Sequence, residues 1–332
     1  MDQNGKGVNG STPQYFAGLV RLCFESGQSI EVSPQECWSL VESVRAFLVT
    51  NSFGFDPPPA RCIRKQNKRF RVLMSGNLEF WKSLEADAWE TDTFKALDHF
   101  VSPETYYIDV GAWIGPTVLY GAQLAKRTYA FEPDPIAFRE LEANLSLNKD
   151  MEWASSVTLH NEAVAPSSGD VRIGSRHEGG DSMSSILFSG GLVHWDVHAV
   201  SFDEMLDRHQ LRARKLFMKV DIEGGEYELI PRIKDALARC DVELCLSLHP
   251  DFLMGSLFKG TSNSLIVRSL RRMLFFWRHL LVVRSLPFRH CYTIRGEKLN
   301  LYRQLARALL RGDFVKEVVV TNRAWKPLRT TA

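Results

Sequence analysis

The pattern of hydrophobic and polar residues changes about a third of the way along the chain. In the first part, a helix-capping box at 33–36 precedes apolar residues at helical spacing up to Leu48. A strand at 69–74 and a short helix at 94–100 are also predicted. We therefore expect residues 1–100 to form an appended, helical or capping region.

After residue 103, apolar strands alternate with amphipathic helices. The predicted strands are 106–110, 128–131, 157–160, 216–222, 242–248, 290–294 and 316–321. The predicted helices are 117–125, 136–148, 202–208, 226–238, 264–281 and 301–310. The glycine- and serine-rich stretch 166–191 is predicted to be irregular. This alternation is typical of an α/β domain, here 101–332, whose parallel sheet binds ligands at the carboxyl ends of its strands.

Composition excludes several other classes of protein. The 332 residues are 45% hydrophobic and 24% charged, which is unlike a disordered chain. No apolar run approaches the roughly 20 residues of a membrane-spanning helix, and the polar start of the chain shows no secretory signal. The six cysteines have neither the density of a disulfide framework nor zinc-ligand spacing. We expect a cytoplasmic protein.

The small net charge hides an asymmetry. From Thr261 onward there are 15 basic and 3 acidic residues, a net charge of +12, and the preceding part carries −10. Such a contrast can indicate a nucleic acid or another anionic partner. Arginines and apolar residues alternate in the helix predicted at 264–281, so a solvated basic face is the simplest interpretation. Contact with an anionic acceptor or a partner subunit, including a further copy of the chain, stays open.

The turn after the first strand of the α/β domain has features of a nucleotide-binding site. Gly111 lets the backbone approach a ligand, and Gly115 completes a tight turn before a helix. The free N–H groups at that helix N-terminus suit a carboxylate, and Thr117 adds a hydroxyl. Asp109, at the strand tip, suits an ammonium group. A ligand that carries both groups is an amino acid.

Glu132 indicates the chemistry of the other end of this ligand. It ends the next strand, 21 residues after Gly111, about where an acidic side chain binds ribose hydroxyls. An amino-acid end and a ribose end together describe S-adenosyl-L-methionine. Trp113 replaces the second glycine of the nicotinamide-cofactor fingerprint, and no P-loop motif is present. The alternative is that Gly111 and Gly115 only form a tight turn.

A second, acidic group of residues follows the strand at 216–222. Asp221, Glu223 and Glu226 repel one another unless they meet cations, protons or solvent, so this strand tip is a candidate functional site. Glu226 could instead only decorate a helix N-terminus. His249 ends the next strand and is our first candidate for a general base, with Asp221 or Glu223 as alternatives. A structural histidine is equally compatible with the sequence.

Three motifs together resemble the FkbM family of S-adenosylmethionine-dependent methyltransferases. They are I-D-V-G-A-W-I-G at 108–115, F-E-P-D-P at 131–135 and K-V-D-I-E-G-G-E at 219–226. The resemblance runs from about residue 90 to 249. It implies a class I methyltransferase fold, which is Rossmann-like, with a seven-stranded, mostly parallel sheet whose last strand is antiparallel. The family commonly has Asn where this chain has Trp113, so a bulky ring is expected at the border of the cofactor site.

The resemblance also implies an activity and a set of site residues. The activity is O-methylation of a hydroxyl on a sugar, glycan or secondary metabolite. The residues implied to bind the cofactor, together with Glu90 as a closing residue, are Asp109, Gly111, Ala112, Trp113, Gly115, Thr117, Glu132, Pro133, Asp134, Glu162, Ala163 and Asp221.

Several alternatives remain at this point. The stretch at 179–185 is either a substrate loop or a surface linker. Metal-assisted transfer through Asp221, Glu223 and His249 ranks below a metal-free reaction, and no metal is expected. The basic C-terminal part suggests a nucleic-acid-modifying methyltransferase, which we consider less favoured because Pro59 replaces the aromatic residue of a D-P-P-[YF] motif. The other rival is a non-catalytic module that keeps the fold.

Overall fold

The computed structural model describes residues 20–23, 29–32, 60–74, 77–175, 193–257, 264–311 and 316–325. The chain divides into two compact units, residues 1–57 and residues 58–332. In the first unit, strands β1 (Val20–Cys23) and β2 (Ser29–Val32) form an antiparallel hairpin. The helix predicted from residue 33 to 48 and the loop predicted at 179–185 lie outside the described residues.

The second unit contains the strands and helices predicted after residue 103, together with six described strands and helices that were not predicted. Its strands are β3 (Ala60–Lys65), β4 (Lys68–Leu73), β5 (Tyr106–Val110), β6 (Arg127–Phe131), β7 (Val157–His160), β8 (Ala163–Ala165), β9 (Gly169–Ser175), β10 (Val193–Ser201), β11 (Lys215–Val220), β12 (Asp241–Ser247), β13 (His290–Thr293) and β14 (Glu317–Thr321). Its helices are α1 (Leu78–Glu85), α2 (Thr91–Phe100), α3 (Pro116–Gly121), α4 (Pro135–Ser146), α5 (Phe202–Arg208), α6 (Glu226–Arg239), α7 (Pro250–Leu257), α8 (Leu265–Ser285) and α9 (Leu301–Arg311), with a 3₁₀ turn at Glu152–Ser156.

Seven strands form the main sheet in the order β13-β14-β12-β11-β5-β6-β7. Strands β12, β11, β5, β6 and β7 are parallel, whereas β14 runs antiparallel to both of its neighbours. The order of strands reverses between β5 and β11, because the chain first builds outward through β6 and β7 and then returns. This topology confirms the predicted class I methyltransferase fold.

Both faces of the sheet are covered, which explains the nearly continuous apolar strands. Ile108 and Val110 point to one face, where they join a core built with residues of α5, α6 and α8. Tyr107 and Phe217 point to the other face, where they join residues of α1, α2 and α3. The alternation along β5 therefore divides one strand between two cores.

Two buried asparagine side chains join the β3–β4 hairpin to α4. Asn144 lies within this helix, and Asn148 lies two residues after its end. The backbone N–H of Leu73 donates to Asn144 Oδ1, and the N–H of Arg71 donates to Asn148 Oδ1, both at 2.8 Å. These bonds satisfy the free edge of β4. Residues 60–100, which the sequence assigned to an appended region, thus belong to the same compact unit as the main sheet.

A second, three-stranded sheet has the order β8-β10-β9. The prediction that 166–191 is irregular was wrong for Gly169–Ser175, which forms β9. In this strand, Val171 and Ile173 alternate with polar Asp170 and Arg172, but Gly169 and Gly174 flank the alternation, so the pattern gives a weak signal. Among the described residues, no helix has the length and apolar character needed to cross a membrane.

Candidate functional site

Two adjoining cavities lie at the carboxyl ends of β5 and β11, where the strand order reverses. The smaller has a volume of about 260 Å³ and the larger about 390 Å³. Four residues line both cavities, namely Gly111, Trp113, Asp221 and Glu223. A crevice at this point of an open α/β sheet is where such folds bind their ligands.

The turn after β5 passes so close to β11 that it excludes any side chain at one position. The N–H groups of Gly111 and Ala112 both donate to the carbonyl oxygen of Phe131, at 3.0 and 3.1 Å. A Cβ atom added at Gly111 would lie 1.8 Å from the backbone oxygen of Asp221, and Gly111 has a φ of +87°. The two chain segments therefore meet backbone to backbone, and glycine is required there.

Glu132 fixes the next part of the turn. Its Oε2 accepts from the N–H of Trp113 at 2.7 Å, and its Oε1 accepts from the N–H of Asp134 at 2.8 Å. Burial raises the pKa of Glu132 to about 8. Its side chain lines the larger cavity together with Pro133, Glu162 and Ala163, so these four predicted residues are brought together.

Three predicted residues do not line either cavity among the described residues. Asp109 is fully buried, where its Oδ2 accepts from the hydroxyls of Tyr107 at 2.6 Å and Thr117 at 2.7 Å. Gly115, with a φ of +94°, lies at the N-terminus of α3. Asp134 caps α4, since its Oδ1 accepts from the first N–H groups of that helix. Asp109 thus contacts the smaller cavity only through Thr117, which lines it.

The acidic strand tip and His249 form one network in the smaller cavity. Lys219 Nζ lies 2.8 Å from Asp221 Oδ2. The Nε2 atom of His249 lies 3.3 Å from Asp221 Oδ1 and 3.5 Å from Glu223 Oε2. Buried Glu226 orients the histidine, because its Oε1 accepts from the His249 backbone N–H at 2.6 Å and lies 3.3 Å from Nδ1.

This network sets the protonation of its members. Burial lowers the pKa of His249, but the carboxylates of Glu226, Asp221 and Glu223 outweigh burial and raise it to about 9. Burial raises the pKa of Glu223 to about 7. Burial also acts to raise the pKa of Asp221, yet the charges of Lys219 and His249 hold it below its usual value. At neutral pH, His249 is therefore a cation and Glu223 titrates.

Sequence reasoning missed eight residues that line the smaller cavity: Phe80, Trp89, Pro116, Lys219, Ser247, Leu248, Lys316 and Glu317. Phe80 packs edge-on against Trp113 and Trp89, with ring centroids 4.6 and 4.9 Å apart, and these rings form an aromatic wall. Lys219 was recognisable, because it stands two residues before Asp221 in a strand and so shares its face.

Backbone strain is concentrated around the smaller cavity. Six described residues other than glycine have a positive φ, and three of them line this cavity: Glu90 (38°), Trp113 (49°) and Glu223 (50°). Such conformations persist only where the surroundings enforce them, and they cluster at functional sites. Glu90, whose pKa burial raises to about 7, lies directly before α2.

The buried groups of the site predict that the unliganded protein loses stability as the pH rises above 6.5. The folded-state pKa values of Glu132 (about 8) and His249 (about 9) exceed the unfolded values of 4.5 and 6.5. Protonation therefore stabilises the fold, and this contribution disappears as the pH passes through the folded pKa values. We expect the Tm to fall by about 5 °C or more between pH 6.5 and 9 in thermal unfolding. Glu132→Gln should flatten the profile, and a Tm that rises with pH would contradict the assignment.

Comparisons with known proteins identify part of the chain. Residues 109–268 match the family model of the methyltransferase FkbM domain. Among solved structures, the FkbM methyltransferase of Methylobacillus flagellatus is 16% identical with a TM-score of 0.38; the match covers 66% of this chain and 44% of that one. A Streptococcus mutans protein solved in complex with SAH is 11% identical, with coverages of 69% and 93% and a TM-score of 0.35. An rRNA methylase from Streptococcus thermophilus is 14% identical, with coverages of 52% and 78% and a TM-score of 0.28.

The chain spans less than half the length of the Methylobacillus flagellatus protein. No curated protein matches it. The matched residues include the end of β5 and the whole of β6, β11 and β12 with the turns that follow, and these segments build most of both cavities. Residues 109–268 are therefore similar to a methyltransferase FkbM domain, and Glu132, Asp221 and His249 all lie within the matched residues.

Proposed function

We propose that the protein is an S-adenosylmethionine-dependent methyltransferase that methylates a hydroxyl group. The observation that carries the proposal is the meeting of two cavities at Gly111, one lined by Glu132 and the other by the acidic network around His249. Residues present in the cavities suit the cofactor. The turn at Gly111 borders both cavities, and Glu132 offers carboxyl oxygens to vicinal hydroxyls.

The larger cavity holds the nucleoside half of the cofactor in this proposal. Glu132 binds the ribose, and Glu162 and Ala163 lie beside the adenine. The methionine half points into the smaller cavity, where Ala112 and Thr117 lie at the start of α3. Asp109 accepts a hydrogen bond from the Thr117 hydroxyl. It therefore positions Thr117 and does not contact the ligand itself.

S-adenosylmethionine supplies a methyl group bound to a sulfonium. Glu223 removes the proton of the acceptor hydroxyl, because its pKa of about 7 matches a general base that works near neutral pH. His249, protonated at that pH, keeps its positive charge 3.5 Å from Glu223 and 3.3 Å from Asp221. This assignment reverses the order predicted from the sequence, in which His249 came first.

The charges of the site favour a metal-free transfer. One donor atom from each of Asp221, Glu223 and His249 lies within 4.8 Å of the others, a spacing that a cation could bridge. Lys219 and protonated His249 already oppose the carboxylates in that space. The aromatic wall and carboxylates in one cavity suit a hydroxylated small molecule or a glycan as acceptor.

Replacing Glu132 by Ala tests the placement of the cofactor. The variant loses two hydrogen bonds from backbone N–H groups to a carboxylate and the acidic group that faces the ribose. We expect the Kd for S-adenosylhomocysteine, measured by calorimetry, to rise about 10- to 100-fold while circular dichroism stays unchanged. Glu140→Ala is the matched control, since Glu140 lies on α4 and does not line the cavities. Unchanged affinity in Glu132→Ala would overturn the ribose assignment.

The reaction itself is tested with isotopically labelled S-adenosylmethionine and a panel of hydroxylated acceptors. A product heavier by one labelled methyl group, detected by mass spectrometry and dependent on Glu223, supports the proposal. If the wild-type protein fails to bind S-adenosylhomocysteine, the non-catalytic alternative replaces it.

A further inference from the structure

Helices α8 and α9 carry an apolar surface that no described residue of the chain covers. All five large hydrophobic side chains that are exposed within the described part of the chain lie on these two helices: Leu270, Met273, Leu274, Trp277 and Tyr302. Their exposed fractions range from 41% to 63%. The four on α8 have the spacing i, i+3, i+4 and i+7, which places them in one stripe along the helix. We call this surface, with the exposed arginines beside it, the α8–α9 patch.

The opposite side of α8 already satisfies the packing needs of the helix. Phe275, His279 and Val282 are buried, and His279 Nε2 lies 2.9 Å from the hydroxyl of Tyr227 on α6. The exposed stripe therefore does not form part of the core. An apolar stripe that is neither buried nor interrupted by polar residues indicates an interaction surface.

The charged side chains of α8 and α9 themselves are all basic, and one of them, Arg278, pairs with Glu228 of α6 at 3.2 Å. Helix α8 contains five arginines and α9 three, and neither helix contains an acidic residue. Arg272, Arg303 and Arg307 are exposed beside the apolar side chains. Amphipathic helices that combine arginines with Leu, Met and Trp lie in the interface of a membrane, where the apolar side chains enter the acyl boundary and the arginines meet anionic headgroups.

We infer that the α8–α9 patch binds the surface of an anionic lipid bilayer. Charge complementarity selects an anionic surface, because a second copy of the same patch would bring arginines against arginines. The aliphatic residues Leu270, Met273 and Leu274 select a bilayer over nucleic acid, because phosphate contacts need no exposed aliphatic stripe. Trp277 and Tyr302 suit the interface, since their rings are apolar and carry one polar group. The patch would hold the protein on the membrane surface without inserting a span.

Co-sedimentation of the full-length protein with vesicles tests this inference. We compare phosphatidylcholine vesicles with vesicles that also contain phosphatidylglycerol, at low and high salt. Binding is expected only to the anionic vesicles and should weaken with salt. The double variant Arg272→Gln/Arg303→Gln should lower the partition coefficient about fivefold or more. The double variant Met273→Gln/Trp277→Gln should lower it about tenfold or more.

Arg64→Gln/Arg69→Gln is the charge-matched control, because both arginines are exposed on the β3–β4 hairpin. It should bind anionic vesicles like the wild type, and thermal unfolding should show that all variants keep the fold. Equal binding to neutral vesicles, no binding, or binding unaffected by the Met273/Trp277 variant would overturn the inference. So would a dimer in gel filtration that the same variant abolishes, or a tight, salt-sensitive complex with RNA in place of vesicle binding.

Discussion

Replacing Glu223 by Gln is expected to lower kcat by about 10²- to 10⁴-fold. The glutamine side chain has the size of glutamate, but its amide cannot take the proton from the substrate hydroxyl. In the wild type, kcat/KM should rise as the pH passes about 7, where Glu223 ionises, and fall near 9, where His249 loses its proton. These limbs report the interacting groups Glu223, His249, Asp221 and Lys219 as a unit. The measurement is the pH profile of methyl transfer once an acceptor is in hand.

Two further measurements on variants test the assignment of Glu223 as the base. Glu228→Gln, on α6 and at the larger cavity, is the matched control and should keep most of the wild-type kcat. Glu223→Gln should lose the limb near pH 7 while its affinity for S-adenosylhomocysteine changes far less than kcat. If the limb near 7 instead survives in Glu223→Gln and disappears in His249→Gln, His249 is the base and the order inferred from the sequence is restored.

Gly111→Ala is expected to damage both the fold and cofactor binding. The new Cβ would lie 1.8 Å from the backbone oxygen of Asp221, so β5 and β11 must separate at the point where the two cavities join. Strain at a φ of +87° adds to this clash. We expect the free energy of unfolding to fall by about 2–4 kcal/mol and the affinity for S-adenosylhomocysteine to fall about 100-fold or more.

Gly169→Ala separates the two causes. Gly169 has a φ of +140°, but a Cβ added there meets nothing within 4 Å. This variant should therefore show only the backbone cost, about 1 kcal/mol in chemical denaturation, and should keep cofactor affinity. Equal effects of the two substitutions would mean that the close approach at Gly111 does not matter to the site.

The sequence was sufficient for most of the main sheet, because its parallel strands are buried on both faces and appear as plain apolar runs. Strand β9 was missed for the opposite reason. It is half-buried, and glycines at 169 and 174 interrupt a short alternation of apolar and polar residues. Glycine is depleted in strands, so this segment appears irregular in the sequence.

The residues of the candidate site also differ in whether the sequence alone predicts them. Motifs that follow parallel strands were recognisable, because every such strand delivers its carboxyl end to the same edge. Glu317 and Lys316 could not be assigned, since β14 is antiparallel and brings its amino end to that edge, where Glu317 pairs with Ser247. The protonation state of His249 could not be predicted from the sequence either. Whether His249 is a base or a cation depends on Glu226, which only the folded chain places against it.

The position of β14 also determines when the molecule can be finished. The strand lies between β12 and β13, both of which precede it in the chain, so the sheet stays open in its interior until residues 317–321 leave the ribosome. Until then β12 presents an unpaired, apolar edge of the kind that promotes misassembly. Residues 316–321 must therefore be synthesised before the smaller cavity gains its last wall, to which Lys316 and Glu317 belong.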